Sequence, residues 1–246
     1  MTKKFGLLGK NIGYSFSRTY FSDKFKKENL EGYSYENFDT PSIADWQQTI
    51  LTTPNLKGLN ITIPYKEAVI PLLDELSKKA KTIGAVNCVK ISKNKKTKGF
   101  NTDYYGFKKS LQPLLQPHHK KALILGTGGA SKAIAFALQK MNIEYRFVSR
   151  QQIPNGLTYS ELTTTVFSEY TIIINTTPLG TFPDIEAHPS IPYEYFSNQH
   201  IAYDLIYNPK ETAFLKKAKN FGATTKNGYE MLVLQAEKAW KIWNKK

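Results

Sequence analysis

Polar side chains that could hold and protonate a small ligand recur in the first 103 residues. They are Ser15 with Ser17, Asn60 with Thr62, Lys66, and Asn101 with Asp103. In extended backbone, residues two apart point to the same side, so each pair can present two polar groups to one ligand. Several neutral groups with one lysine and one carboxylate suit a polyhydroxylated anion. Proton transfer at an oxygen, with Lys66 or Asp103 as acid or base, is the chemistry they favour.

Each of these residues also has a structural interpretation. Asp103 or Ser17 could cap a helix N-terminus, and Asn101 could be a turn residue. Pro64 suits a first helical position, which puts Lys66 at the start of a helix, where a cation is disfavoured and the amine is a better base. A nearby Asp103 would act in the opposite direction. The sequence favours Lys66 as proton carrier and Asp103 as orienter without deciding between them.

A glycine-rich segment predicts a second site. Gly126-Thr127-Gly128-Gly129-Ala130-Ser131 follows an apolar strand and precedes a helix predicted over Ser131–Gln139. Gly126 and Gly128 match the first two glycines of the dinucleotide fingerprint, and Ser131 takes the third position. Backbone N–H groups at such a helix start can bind a pyrophosphate. A tight strand-to-helix turn without a ligand is the alternative.

The residues about 20 positions beyond this loop indicate which dinucleotide binds. NAD enzymes place Asp or Glu there to bind the ribose hydroxyls. This chain has Ser149 and Arg150, which can hydrogen-bond a 2′-phosphate. We therefore predict NADP, with a solvated loop arginine as the alternative for Arg150. Residues 151–154 add no second basic group, so the expected preference is moderate.

Short apolar runs alternate with amphipathic segments, which predicts an α/β fold with parallel sheets. In the first part we predict a helix over Tyr20–Asn29 and strands at Phe5–Gly9, Tyr33–Phe38, Leu59–Ile63, Ala85–Val89 and Lys98–Thr102. Strands at Ala122–Gly126, Tyr145–Val148, Thr171–Ile174 and Ile201–Leu205 follow a change in composition around residues 111–121. Ligands bind beyond the carboxyl ends of strands in open α/β sheets, where the polar and glycine residues fall.

The last helix carries an amide on an apolar face. The residues that share this face are Met231, Leu232, Gln235, Ala239, Ile242 and Trp243. An unpaired buried amide costs about 1–3 kcal/mol, so Gln235 needs a partner, either a backbone group or a substrate. We expect this helix to return to the first domain. The predicted domains are an α/β substrate domain, residues 1–103 with 230–246, and a Rossmann-type NADP domain with a parallel sheet, residues 104–229.

Composition excludes several classes of protein. The 246 residues carry a net charge of +14, which suits an anionic ligand. The lysines are scattered, one cluster at a predicted hairpin tip around Lys93–Lys98, so we expect no nucleic-acid partner. No apolar run reaches the ~20 residues of a membrane span, so we expect no membrane partner. A single cysteine, Cys88, predicts no metal cluster and a reducing cytoplasm.

Eight motifs occur in a fixed order along nearly the whole chain. They are Ser15–Ser17, Asn60–Lys66, Gly84–Asn87, Asn101–Asp103, Gly126–Ser131, Ile174–Gly180, Tyr203–Pro209 and Gly228–Gln235. Their order and spacing resemble the shikimate dehydrogenase family. The resemblance implies that Lys66 and Asp103 are the catalytic pair. It implies shikimate binding by Ser15, Ser17, Thr62, Asn87, Tyr207 and Gln235. It implies NADP binding by the glycine loop (Gly126, Thr127, Gly128, Gly129 and Ala130), Ser149, Arg150, Leu205 and Gly228.

The resemblance also implies a reaction, the reversible NADPH-dependent reduction of 3-dehydroshikimate to shikimate on the route to chorismate and aromatic amino acids. A quinate or quinate/shikimate dehydrogenase of the same fold is one alternative. A non-catalytic NADP-binding regulator is another, and the presence of both Lys66 and Asp103 argues against it. We expect a monomer or homodimer.

Overall fold

The computed structural model describes residues 2–13 and 15–245, which form two compact units. The first unit contains the described residues up to Thr102 and from Ala236 onward, and the second contains Asp103–Gln235. Each unit is built on one six-stranded sheet covered by helices. The α/β class predicted from the sequence is therefore confirmed.

The first unit combines a parallel core with an antiparallel hairpin. Its elements are β1 (Lys3–Gly9), α1 (Phe16–Lys27), β2 (Tyr33–Asp39), α2 (Trp46–Thr52), β3 (Leu56–Ile61), α3 (Tyr65–Ala68), β4 (Glu75–Leu76), α4 (Lys78–Ile83), β5 (Cys88–Ile91) and β6 (Thr97–Phe100). The strand order is β2-β1-β3-β5-β6-β4. Strands β1, β2 and β3 are parallel, whereas β5 runs antiparallel to β3 and β6. The hairpin predicted around Lys93–Lys98 is thereby confirmed, since the connection after Ile91 is too short for a parallel crossover.

The second unit has a doubly wound parallel sheet. Its elements are α5 (Asp103–Leu111), β7 (Lys121–Leu125), α6 (Gly129–Gln139), β8 (Glu144–Ser149), β9 (Leu157–Thr158), α7 (Thr164–Glu169), β10 (Ile172–Asn175), β11 (Ile201–Asp204), α8 (Ala213–Asn220), β12 (Thr224–Lys226) and the start of α9 (Tyr229–Asn244). The order β12-β11-β10-β7-β8-β9 reverses direction between β7 and β10. This reversal opens a crevice at the carboxyl ends of β7 and β10, as in Rossmann-type sheets.

The end of α9 packs on the sheet of the first unit. Trp243 Nε1 donates a hydrogen bond to the Val89 carbonyl at 2.9 Å, and its ring lies 4.9 Å from that of Phe5. Gly58 leaves the space for this indole, since a Cβ there would overlap it. The C-terminal helix thus returns to the first unit.

The start of α9 packs on α5 instead. Gly106 in α5 lies so close to the Met231 carbonyl that a Cβ would overlap it, and the same Cβ would lie 3.2 Å from Gln235. This close packing places Tyr229–Gln235 in the second unit, whereas the sequence analysis set the boundary at residue 229. Among the described residues, no helix has the length and apolar character needed to cross a membrane.

Candidate active site

The two serines at the start of α1 differ in backbone conformation, since Ser15 is extended and Ser17 is helical. Ser15 is the N-cap of α1, and its hydroxyl accepts a hydrogen bond from the Arg18 N–H at 3.2 Å. Ser17 is buried in the first turn of a helix that begins at Phe16, four residues earlier than predicted. The extended backbone predicted for both serines is therefore correct at Ser15 and wrong at Ser17.

Ser17 contacts a buried tyrosine that sequence reasoning missed. The Tyr35 hydroxyl donates to Asn60 Oδ1 at 2.8 Å, and Ser17 hydrogen-bonds the same phenol. Burial raises the pKa of Tyr35 well above its ordinary value, and the hydrogen bond from Ser17 opposes that rise. The phenol therefore stays protonated and keeps Asn60 and Ser17 in place. Tyr35 is the buried position of β2, a signal that the strand pattern offered.

Thr62 lies one residue beyond β3, at the carboxyl edge of the sheet. Its N–H donates to the Leu8 carbonyl at 3.0 Å, and its methyl group fills the space above Gly9. The strand predicted over Leu59–Ile63 ends two residues earlier than expected, since β3 ends at Ile61 and Ile63 is 69% exposed. The half-buried Thr62 remains where ligands bind in open sheets.

Asn87 joins three strands at the same edge. Its Oδ1 accepts from the Thr102 N–H at 2.6 Å, and its Nδ2 donates to Thr102 Oγ1 at 2.9 Å. Its carbonyl accepts from Asn60 Nδ2 at 3.2 Å, and the buried Asn101 donates to the Ala85 carbonyl at 3.0 Å. The amino end of the antiparallel β5 thereby meets the carboxyl ends of β3 and β6. Ser17, Asn60 and Asn87 thus belong to one hydrogen-bonded group.

Lys66 is the second residue of α3, with Pro64 as its N-cap rather than its first residue. Its side chain is half-buried, and its carbonyl accepts from the Val86 N–H at 2.8 Å, which ties α3 to the segment before β5. The helix α3 that carries Lys66 is only four residues long. Lys66 therefore lies four residues after Thr62, in the segment that follows the carboxyl end of β3.

Asp103 and Gln235 belong to the second unit, whereas Lys66 belongs to the first. Asp103 is the first residue of α5 and is 6% exposed. Gln235 is 7% exposed on the apolar face of α9, as predicted. Its Nε2 donates to the Leu232 carbonyl at 2.9 Å, so the amide does have the backbone partner that the sequence left open.

The glycine loop lies at the point where the strand order of the second sheet reverses. Gly126 has a φ of 103°, and a Cβ would lie 3.0 Å from Thr176 Oγ1, so both conformation and packing require glycine. Gly128 is different, since a Cβ there would meet nothing within 4 Å. A tight turn alone explains Gly126 but not Gly128. The open space above Gly128 fits a dinucleotide.

The rest of the loop leads directly into α6. This helix begins at Gly129, two residues before the predicted start, and Gly129 and Ala130 are half-buried in its first turn. Thr127 is exposed, and the buried Ser131 donates to the Gly128 carbonyl at 2.6 Å. The N–H groups at the start of this 11-residue helix suit an anionic phosphate.

Ser149 and Arg150 stand at the carboxyl end of β8. Ser149 ends the strand, its Oγ accepting from the Gln151 N–H at 3.4 Å, and Arg150 is exposed. Burial raises the pKa of Tyr159, and the positive charge of Arg150 opposes that rise. A hydroxyl and a guanidinium, with no carboxylate in residues 149–156, suit a 2′-phosphate at this strand end.

Leu205, Tyr207 and Gly228 come together beyond β11. The Gly228 N–H donates to the Ile206 carbonyl at 2.9 Å, and a Cβ on Gly228 would overlap the Leu205 carbonyl. Tyr207 is half-buried, and burial raises its pKa. The described residues contain no group of three or more His, Cys, Asp or Glu side chains able to hold a metal ion.

Known proteins share both units. Residues 7–89 match the family described as the shikimate dehydrogenase substrate binding domain. The shikimate dehydrogenase (NADP(+)) of Caldanaerobacter subterraneus subsp. tengcongensis is 37% identical over 98% of this chain and 91% of its own. The chain belongs to the shikimate dehydrogenase family. The resemblance predicted from the motifs is thereby confirmed.

Solved structures of the shikimate dehydrogenase fold superpose over almost the whole chain. Shikimate 5-dehydrogenase from Thermus thermophilus, in complex with NADP(H) and shikimate, has a TM-score of 0.87 at 32% identity, covering 99% of this chain and 94% of that one. Quinate dehydrogenase from Corynebacterium glutamicum, in complex with NAD, has the same TM-score of 0.87 at 26% identity, with 99% and 94% covered.

Because the space above Gly128 is open, a substitution there should affect NADP binding more than the stability of the fold. Gly128→Ala should weaken NADP binding by about tenfold or more, because the new methyl group enters the space a pyrophosphate would use. The free energy of unfolding should fall by no more than about 1 kcal/mol, the scale of an N-cap change. Calorimetric titration with NADP and urea unfolding measure the two effects.

Gly13→Ala is the matched control, since its Cβ also meets nothing within 4 Å but lies in the first unit. It should bind NADP as the parent does. Unchanged NADP affinity in Gly128→Ala would contradict the assignment of this loop.

Proposed function

We propose that this chain catalyses the reaction of its family, the reversible NADPH-dependent reduction of 3-dehydroshikimate to shikimate. The open glycine cradle at the switch point of the second sheet carries the proposal, since packing alone does not require glycine at Gly128. NADP is the cofactor, and the enzyme is an oxidoreductase acting on a CH–OH group. The reaction belongs to the route to chorismate and the aromatic amino acids.

The cofactor contacts follow from the second unit. Gly128, Gly129 and the N-terminus of α6 would hold the pyrophosphate, and Ser149 with Arg150 would hold the 2′-phosphate. Leu205 and Gly228 would line the cofactor beyond β11. The bound cofactor supplies the hydride that reduces the carbonyl carbon.

Six polar side chains are the proposed substrate contacts. Ser15, Ser17, Thr62, Asn87, Tyr207 and Gln235 would bind the hydroxyls and carboxylate of shikimate. Tyr35 holds Ser17, and Thr102 holds the Asn87 side chain, which lowers the cost of ordering both residues on binding. The net charge of +14 attracts the carboxylate substrate and the phosphates.

Lys66 carries the proton in this proposal. As an ammonium group it donates a proton to the carbonyl oxygen during reduction, and as a neutral amine it accepts that proton from the hydroxyl during oxidation. Asp103 orients the reacting group. The presence of both residues favours an enzyme over a non-catalytic NADP-binding regulator.

The proposal extends to domains, assembly and location. The first unit would be the substrate domain and the second the NADP domain, since the family match at residues 7–89 falls within the first. We propose a monomer or homodimer in the cytoplasm, without nucleic-acid or membrane partners. The scattered lysines and the single buried thiol of Cys88 favour that assignment.

Quinate oxidation is the second candidate function. The similarity to a quinate dehydrogenase in complex with NAD favours it. Ser149 and Arg150 favour NADP, and therefore the shikimate reaction, because a carboxylate is absent from that strand end.

Replacing Lys66 tests the proton transfer. Lys66→Ala should lower kcat at least ~100-fold, the usual range for a lost acid or base. Lys66→Arg should be almost as slow, since a guanidinium keeps the positive charge but does not release its proton near neutral pH. NADP affinity should not change in either variant. Steady-state absorbance of NADPH and a direct NADP titration measure both quantities.

Lys93→Ala, at the exposed hairpin tip, is the control for loss of one positive charge and should keep normal turnover. A Lys66→Arg variant with near-normal kcat would show that Lys66 supplies charge alone. If kcat falls further in Asp103→Asn than in either Lys66 variant, the proton transfer is assigned to Asp103 instead.

Replacing Arg150 tests cofactor choice. A charge-assisted hydrogen bond contributes about 1.5–3 kcal/mol, which corresponds to a preference for NADP over NAD of roughly 10- to 150-fold. Arg150→Ala should lose most of this preference, because kcat/KM should fall for NADP and stay nearly unchanged for NAD. The ratio of kcat/KM for the two cofactors is the measurement.

Arg146→Ala is a matched control on the same strand, because Arg146 is exposed and its charge acts on Glu161 and Glu169. It should keep the parent preference for NADP. If Arg150→Ala also keeps it, another group recognises the 2′-phosphate.

A further inference from the structure

Asp204 is a buried carboxylate that none of the roles above uses. It is the last residue of β11, and its side chain is fully buried. Its Oδ1 accepts from the Ile206 N–H at 3.0 Å and from Asn175 Nδ2 at 3.1 Å. Its Oδ2 accepts from Thr212 Oγ1 at 2.6 Å. One side chain thus fixes the turn after β11, the end of β10 and the start of α8.

Asn175 extends this arrangement to the loop after β10. It ends β10 and pairs in register with Asp204. Its Oδ1 accepts from the Thr177 N–H at 3.0 Å and from Thr177 Oγ1 at 2.6 Å. Its carbonyl accepts from the Leu205 N–H at 3.1 Å. The two loops beyond the carboxyl ends of β10 and β11 therefore share one buried anchor.

The turn held by Asp204 carries proposed ligand contacts. Leu205 and Tyr207 flank Ile206, whose N–H binds the carboxylate and whose carbonyl accepts from the Gly228 N–H at 2.9 Å. Gly228 lies directly against the Leu205 carbonyl, where any side chain would overlap it. A shift of the Ile206 backbone would therefore move Leu205, Tyr207 and Gly228 together.

Strand packing alone does not require this carboxylate. Burying a carboxylate is costly, and burial raises the pKa of Asp204 to about 6, against the hydrogen bonds from Thr212, Ile206 and Asn175. Apolar side chains of similar size often stabilise a core as well or better. The carboxylate does what an apolar group cannot, since it binds the backbone N–H two residues ahead and defines a turn.

We propose that Asp204, with Asn175, is a positioning residue that sets the cofactor contacts Leu205 and Gly228 and the substrate contact Tyr207 in one geometry. The inference rests on the proposed function for the identity of the ligands. It predicts that loss of the anchor changes binding of both ligands more than turnover.

The test compares three variants with the parent chain. Asp204→Ala removes all three hydrogen bonds of the carboxylate. Asp204→Asn keeps an Oδ1 for Ile206 and Asn175 and presents an NH₂ group to the Thr212 hydroxyl, which can accept. Thr212→Val removes the Oδ2 contact and the cap on Leu215 but leaves the Oδ1 contacts intact.

Three measurements separate positioning from stability. They are KM and kcat for NADP and shikimate, the NADP dissociation constant by titration, and hydrogen exchange at the Ile206 and Gly228 amides. Asp204→Ala should raise both KM values and the dissociation constant about tenfold, with a smaller change in kcat and faster exchange at both amides. Asp204→Asn should restore the parent values within about threefold.

Thr212→Val should lower the unfolding midpoint while KM and amide exchange stay near those of the parent. The proposal is overturned if Asp204→Ala matches Thr212→Val, losing stability with both KM values unchanged. If Asp204→Ala does not fold, Asn175→Ala tests the other member of the anchor, because it removes one of the two donors to Asp204 Oδ1 and the acceptor of Thr177. Both KM values should then rise by a smaller factor than in a loss of Asp204, and unchanged KM values would overturn the proposal. A parent chain that is inactive on shikimate would refute the proposed function. NADP titration and amide hydrogen exchange need no turnover, so these two measurements would still decide the role of Asp204.

Discussion

A polar group buried in a sheet must find a hydrogen-bond partner, and here the partner lies on another strand of the same sheet or in the segment next to that strand. In the first unit Tyr35 donates to Asn60, whose amide donates to the Asn87 carbonyl. In the second unit Asn175 donates to Asp204. Leaving one such group unpaired costs about 1–3 kcal/mol. The arrangement of both carboxyl edges depends on these pairs.

The pairing of buried polar groups also determines which groups at the carboxyl edges of the two sheets can bind ligands. Once the amides and carboxylates are paired with each other, the short hydroxyl side chains and the loop backbone remain at the rim. Thr62 is half-buried beyond β3, and the Gly128 backbone is exposed beyond β7. Because the residues below them are already held by hydrogen bonds, these rim groups lose little conformational freedom when they bind shikimate or NADP. A smaller loss of conformational freedom favours a higher affinity.

Much of this arrangement follows from local sequence. The strands β1, β2, β7, β10 and β11, the lysine-rich hairpin and the glycine loop were all predictable from apolar runs and glycine spacing. The start of α1 was not, because a Ser-x-Ser segment suits both extended backbone and a helix cap. The strands β4 and β9 were not predictable either, because each has only two residues, too few for a pattern.

The hydrogen-bond partners of the buried polar residues could not be predicted from the local sequence. Tyr35 and Asn60 are 25 positions apart, and Asn175 and Asp204 are 29 apart. No periodicity within one segment specifies such a pair, because strand order decides which ends become neighbours. The roles of Lys66 and Asp103 came from the family resemblance, and they remain predictions.

The central claim is that this chain oxidises shikimate with NADP. The most direct measurement is kcat/KM of the parent chain for shikimate and for quinate, each with NADP and with NAD, followed by NADPH or NADH absorbance. The account predicts the highest value for shikimate with NADP, and an NADP preference over NAD of roughly 10- to 150-fold. A higher value for quinate with NAD, or no absorbance change with shikimate and NADP, would contradict it.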